Sequence, residues 1–194
     1  MIKRNIKKVV LGMALLATPL MADYGYKAQS LVGIEGGFSQ LDYENGTSDA
    51  NEQYDTNLAN LGIKIGAETE DFRAFISGRY FFDSSKQYDY LTTFGLELQY
   101  KFNVTEVFNV YLGANGGVAN AKFRAENEDF SRTFSDPYIG GDLGANIHLG
   151  SSTDLEIGAR VMSIQATNTK NDVSYRIGNI VNAYASLIFK WQMN

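Results

Sequence analysis

Cysteine is absent from all 194 residues, which rules out disulfide staples, thiolate nucleophiles and cysteine-held zinc or iron–sulfur centres. A lipid-modified N-terminal cysteine, and with it a lipoprotein, is excluded on the same ground. There is one histidine, His148, so an imidazole metal site has little to draw on. Proline occurs only twice. Beyond residue 21 no apolar run approaches the roughly 20 residues that a membrane-spanning helix needs. Basic residues are the minority, 17 against 22 acids, which speaks against nucleic acid as a partner. No ligand set for a cofactor or metal stands out.

The abundant residues are 12 Tyr, 12 Phe and 19 Gly, a mixture that favours β-structure. The first 22 residues differ from the rest. "MIKRNIKK" carries Lys3, Arg4, Lys7 and Lys8 with no acid, "VVLGMALLATPLM" is apolar, and Ala22 precedes the polar Asp23. Charge, apolar run and small residue in that order predict a secretory signal peptide over residues 1–22, leaving 23–194 as one barrel domain. Its removal leaves 17 − 4 = 13 basic residues against 22 acids, a net charge of −9. The mature chain is then expected in the periplasm, outside the cell or in an outer membrane.

From residue 31 onward, apolar and polar residues alternate at period two, the signature of strands with one apolar face. Eight such segments can be read, at 31–41, 58–68, 71–82, 90–102, 107–119, 138–149, 154–165 and 179–191. The segment "DFRAFISGRYFF" is informative because two arginines lie within an apolar run. At period two, Arg73 and Arg79 share a face with Phe75, Ser77 and Phe81, opposite Phe72, Ala74, Ile76, Tyr80 and Phe82. The connections after the second, fourth and sixth segments are short ("TED", "NVTE", "GSST"), whereas the others run to roughly seven to 18 residues, the pattern of a barrel with tight turns on one rim and long loops on the other.

Alternation by itself fits a soluble, lipocalin-like barrel as well as a membrane one. The space inside decides between them, because eight strands enclose room only for side chains. The apolar face is crowded with Leu, Ile, Phe and Tyr. The polar face mixes Gly, Ser and Asn with a few long charges, and small residues inside make room for those charges. Aromatics also gather at segment ends, with Tyr80, Phe82 and Tyr90 towards one rim and Phe72, Tyr100, Phe102, Phe108, Phe189 and Trp191 towards the other, as interfacial girdles do. The fold expected is an all-β, eight-stranded antiparallel up-and-down transmembrane barrel.

The signal peptide, eight alternating strands, short turns and long loops of this chain resemble the small outer-membrane β-barrel proteins of Gram-negative bacteria, of the OmpA/OmpX type, over residues 29–191. The resemblance implies an outer-membrane location among lipid and lipopolysaccharide, a monomer, and a structural or surface-interaction role. It also implies delivery by the barrel-assembly machinery, with Tyr184, Ser186, Phe189 and Trp191 at the positions of the assembly signal. Ser186 stands where the family has Gly, and "QMN" follows the usual terminal aromatic. No peptidoglycan-binding domain is expected after the barrel.

Inside the barrel the polar faces predict a lumen charge network of Glu35, Lys64, Arg73, Arg79, Glu97, Asp142, His148, Glu156, Arg160 and Lys190, with Lys101 a further cation on the same face. Hairpin register places Glu35 by Lys64, Glu97 among Arg73 and Arg79, Asp142 by Arg160, and His148 by Glu156 and Lys190. Such a network either plugs the lumen or gates a narrow, porin-like channel. A lipid A-modifying enzyme would need a base near the outer leaflet, and His148 sits by a short turn at the opposite end; no catalytic residue is expected. Outer loop residues Asp42, Glu44, Asp49, Glu52 and Asp55 lack the ligand spacing of a calcium loop. Phe123, Phe130 and Phe134 among mixed charges could meet a surface or host ligand. The membrane reading is checked by cell fractionation: the protein should sediment with outer membranes and shift its gel mobility on heating, and a soluble periplasmic protein would refute it.

Overall fold

The computed structural model describes residues 28–47, 50–83, 88–124, 131–170 and 173–192; the expected signal peptide lies outside the described residues. Eight strands follow one another: β1 Gln29–Thr47, β2 Ala50–Glu68, β3 Phe72–Asp83, β4 Tyr88–Thr105, β5 Phe108–Arg124, β6 Ser131–His148, β7 Thr153–Lys170 and β8 Val173–Gln192. Each pairs antiparallel with its neighbours in sequence, and β8 closes on β1 to complete the barrel. Closure leaves no strand edge along the shared wall, so its main-chain donors and acceptors are met within the sheet.

The strands exceed the sequence expectation at one rim. Residues 42–47 and 50–57, read as parts of a long loop, continue the ladder from β1 into β2 as far as Thr47↔Ala50, and residues 120–124 and 131–136 do the same from Asn120↔Ser135 to Arg124↔Ser131. The physical reason is that alternation marks only the part of a strand that has one apolar surroundings. Where both faces meet water the side-chain pattern fades, yet neighbouring backbones still pair. The opposite rim carries the tight connections 69–71, 106–107 and 149–152 together with both ends of the strand order.

Along every wall segment, exposure alternates with residue parity. The outward set includes Ile34, Leu61, Ile63, Ile65, Leu96, Leu98, Leu112, Ile139, Leu143 and Ile157, all exposed, and Phe38 is 78 % exposed. An apolar surface of this extent suits hydrocarbon rather than water. Ring contacts reinforce the belts at both heights: Phe72–Tyr100 at 5.0 Å and Tyr100–Phe102 at 4.8 Å near the short turns, and Tyr80–Phe82 at 4.9 Å towards the other rim.

The interior is filled. Above the level of the charged residues, away from the short turns, Leu41, Leu58, Phe81, Leu91, Ala119, Ala121, Met162, Ile164 and Ile180 pack together with Tyr138 in an apolar tier. A smaller cluster of Leu31, Phe75 and Ile188 lies nearer the turns. Glycine makes space where an aromatic crosses the lumen: a Cβ at Gly158 would lie 2.9 Å from the Tyr184 ring.

Because Ile63 faces outward at the middle of β2's lipid band, Ile63→Arg should destabilise the folded barrel by about 2–4 kcal/mol. Urea unfolding in detergent or bilayers measures this, with Ile63→Leu expected to match the parent protein.

Candidate functional site

Among the described residues, period two places twelve charged side chains on the lumen face that are buried or nearly so. Six are acids (Glu35, Glu68, Glu97, Asp142, Asp154 and Glu156) and six are bases (Lys64, Arg73, Arg79, Lys101, Arg160 and Lys190); all are buried except Lys190, whose side chain is 10 % exposed. Burying a charge without a partner costs several kcal/mol, so the arrangement of partners decides whether such a lumen is tolerable.

In the middle tier, three carboxylates meet three cations. Arg79 donates from Nε to Glu35 Oε1 at 2.7 Å and from Nη2 to Glu97. Arg160 donates to Glu35 at 3.0 Å and to Glu97 at 3.1 Å. Lys64 holds Glu156 at 2.6 Å and lies 3.3 Å from Glu35. Aromatic faces complete the solvation of these cations, with the Arg160 guanidinium 4.3 Å from the Tyr184 centroid and Lys64 Nζ 5.1 Å from the Phe75 centroid. The Tyr184 hydroxyl is itself bonded to that of Tyr111 at 2.7 Å.

The lower tier, towards the short turns, has two carboxylates and three cations. Arg73 bonds Glu68 at 2.6 Å, Asn146 at 2.6 Å and Asp154. Lys101 reaches Glu68 at 3.0 Å, and Lys190 reaches Asp154 at 2.9 Å. His148 Nδ1 lies 2.7 Å from Asp154 Oδ1, and its Nε2 lies 3.3 Å from Asn109. Asp142 stands apart: its carboxylate accepts from Asn115 at 3.1 Å and from Gln99 at 3.4 Å.

Several of these contacts differ from the hairpin expectation. Arg73 does not meet Glu97; Arg79 does. The two arginines are six residues apart along a strand, roughly 20 Å at 3.3 Å per residue, and Arg73 crosses the lumen to β6 and β7 instead. His148 pairs with Asp154 rather than Glu156, which is taken by Lys64. Asp142 and Arg160 are opposed in register, yet the Arg160 guanidinium turns to Glu35 and Glu97. Register describes neighbouring strands, whereas long side chains in a narrow barrel also bond across its diameter. Glu35 and Lys64 do meet. Glu68 and Asp154 were absent from the expected set, although each has the lumen parity of Lys64 or Glu156 on its own strand. Among the assembly-signal positions, Tyr184 and Ser186 face the lumen, whereas Phe189 and Trp191 face outward.

A closed eight-stranded wall with an apolar outside and an ion-paired inside defines a transmembrane barrel. The chain belongs to the family described as outer membrane protein beta-barrel domain, whose model matches residues 9–186, and its place is accordingly the outer membrane. Among solved structures, Neisserial surface protein A is similar at 16 % identity with a TM-score of 0.62, covering 82 % of this chain and 97 % of that one. The N-terminal β-barrel domain of Pseudomonas aeruginosa OprF is similar at 13 % identity with a TM-score of 0.49, covering 85 % and 100 %. Ail, the attachment invasion locus protein of Yersinia pestis, solved with the heparin analogue sucrose octasulfate, is similar at 14 % identity and a TM-score of 0.47, covering 85 % and 99 %. At these identities the likeness is one of fold. A search of curated proteins finds no match.

The tiers respond differently to the loss of one cation. Without Arg73 the lower tier keeps two carboxylates against Lys101 and Lys190; without Arg79 the middle tier keeps three carboxylates against two cations. Arg79→Met should therefore cost about 3–5 kcal/mol, the range for stranding a buried charge, and Arg73→Met less than half as much. Urea unfolding of the two variants side by side measures the difference.

Proposed function

We propose that this protein is a sealed outer-membrane barrel that conducts no solute and catalyses no reaction, serving envelope structure and contact at the cell surface. The observation that carries this reading is the stacking of an apolar tier on an ionic one inside the same narrow lumen. Opening a path would require both to give way. An ion pair can exchange partners at modest cost when another counter-charge is within reach. A plug of Leu, Met, Ile and Phe has no such alternative, and water entering it would find few polar groups to bond.

The non-enzymatic part of the reading is supported by His148. Both of its ring nitrogens are engaged, by Asp154 and Asn109, at the turn-bearing rim rather than at the outer leaflet. Support for surface contact comes from the strands that carry residues 42–47 and 50–57 beyond the lipid band, with Asp42, Glu44, Glu52 and Asp55 and no basic residue among them. Removal of residues 1–22 on export, and recognition of the last strand by the assembly machinery through Tyr184, Ser186, Phe189 and Trp191, belong to the same proposal.

The test is conductance in planar lipid bilayers. The folded protein should give no unitary current steps, and neither should Glu97→Ala, because the apolar tier is untouched by that change. Steady steps from the parent protein would overturn the closed barrel in favour of a narrow channel.

A further inference from the structure

The equality of six acids and six bases conceals a local imbalance. The middle tier is neutral without Asp142, the lower tier has one cation in excess, and Asp142 has only amide donors. It is 2 % exposed, and among the described residues no lysine, arginine or histidine nitrogen lies within 4 Å of its oxygens. Arg160, directly opposite on β7, spends both terminal nitrogens on Glu35 and Glu97. Two amide contacts, one of them at the long limit of 3.4 Å, do not balance a buried negative charge.

The surroundings of Asp142 are rich in oxygen. Gln99, 1 % exposed, places its Nε2 3.4 Å from both Asp142 Oδ2 and Glu156 Oε2, so its amide lies between the two carboxylates. The Gln99 Oε1 and the Asn115 Oδ1 are buried without a partner. Gly144 and Gly158, paired to each other, form the row between Asp142 and Glu156, and the Tyr111 hydroxyl rests over that row: a Cβ on Gly144 would lie 2.5 Å from it. Two carboxylates, two carboxamides whose NH2 groups face Asp142, and a phenol oxygen therefore line one stretch of lumen wall. Orphaned buried acceptors beside an uncompensated carboxylate call for a bound ion or water, and water supplies no charge.

We propose that Asp142, Glu156, Gln99 and Tyr111 form a binding site for one monovalent metal cation of the sodium or potassium class. Local charge sets the valence: Asp142 and Glu156 carry −2, Lys64 returns +1 to Glu156 at 2.6 Å, and Arg73, 3.8 Å from Glu156, is shared with Glu68 and Asp154, so no more than one further positive charge is called for. Among the described residues no group of three or more His, Asp or Glu side chains is placed to hold a metal, so a carboxylate-rich divalent site is not what this wall offers. Hard oxygen donors and a flexible amide suit an alkali ion, and turning the Gln99 carboxamide over would direct its Oε1 to the ion while leaving its stem in place.

The test is urea unfolding of the intact folded protein in sodium, potassium or choline chloride at equal ionic strength and pH. A site occupied only in the folded state raises stability with the logarithm of cation concentration. The expected result is a higher urea midpoint in sodium or potassium than in choline for the parent protein, with that difference lost in Asp142→Asn. Crystals of the parent protein soaked in thallous ion should show an anomalous scatterer between the Asp142 and Glu156 carboxylates, a readout independent of how the variant folds. Equal midpoints in all three salts, or a salt effect that persists in Asp142→Asn, would overturn the proposal. An Arg160–Asp142 ion pair with no scatterer, or a protonated-carboxyl infrared band that disappears in Asp142→Asn, would do so as well.

Discussion

Hydrocarbon supplies no hydrogen bonds, and a lumen too narrow for bulk water supplies few. A polar group in the spanning part of this chain is therefore costly unless it finds a partner in the protein. The backbone meets that demand by closing eight strands on themselves. The side chains meet it by sorting at period two, so that lipid receives only groups that need no partner. Charges are confined to the lumen, where Glu35, Glu97 and Glu156 can meet Lys64, Arg79 and Arg160.

The sorting also explains the choice of small residues. A barrel of eight strands cannot hold a large side chain at every inward position, and the lumen alternates occupants with space. Tyr111 and Tyr184 cross the interior because Gly144 and Gly158 leave room beneath them. Arg79 runs past Gly62, where a Cβ would lie 3.0 Å from its Cγ, and donates to Ser77 at 3.1 Å. The apolar tier of Leu41, Leu58, Met162 and Ile180 reverses the polarity of the inward face only where no cation needs a partner. Ionic and apolar interior thus occupy separate heights in one wall.

Much of this could be read from residue order. Parity assigned Arg73 and Arg79 to the lumen and Phe72, Tyr80 and Phe82 to lipid, because a strand offers two faces and lipid refuses guanidinium. What parity could not supply was which acid each base would meet. Hairpin register treats the sheet as flat, and Arg73 reaches Asp154 only because the sheet is rolled. The ends of the strands were hidden for a different reason: residues 42–47 and 50–57 keep their backbone pairing, yet their sequence carries no apolar alternation that would have revealed it. Glu68 and Asp154 lay at segment ends, where an acid reads equally well as part of a turn.

The ion pairs of the middle tier join parts of the chain that are far apart in sequence: Lys64 and Glu156 are separated by 92 residues and Glu35 and Arg160 by 125. Contacts of that range are satisfied late, after the loop-closure entropy has been spent. Until β8 meets β1, a growing sheet holds Glu35 without Arg160 and Lys64 without Glu156, and must keep those charges in water. Carrying them into lipid before closure would strand them unpaired in hydrocarbon, at a cost of several kcal/mol each. The same cost opposes the reverse process. The lumen network thus ties β1, β2 and β7 across the barrel, so that parting them leaves several buried charges without partners.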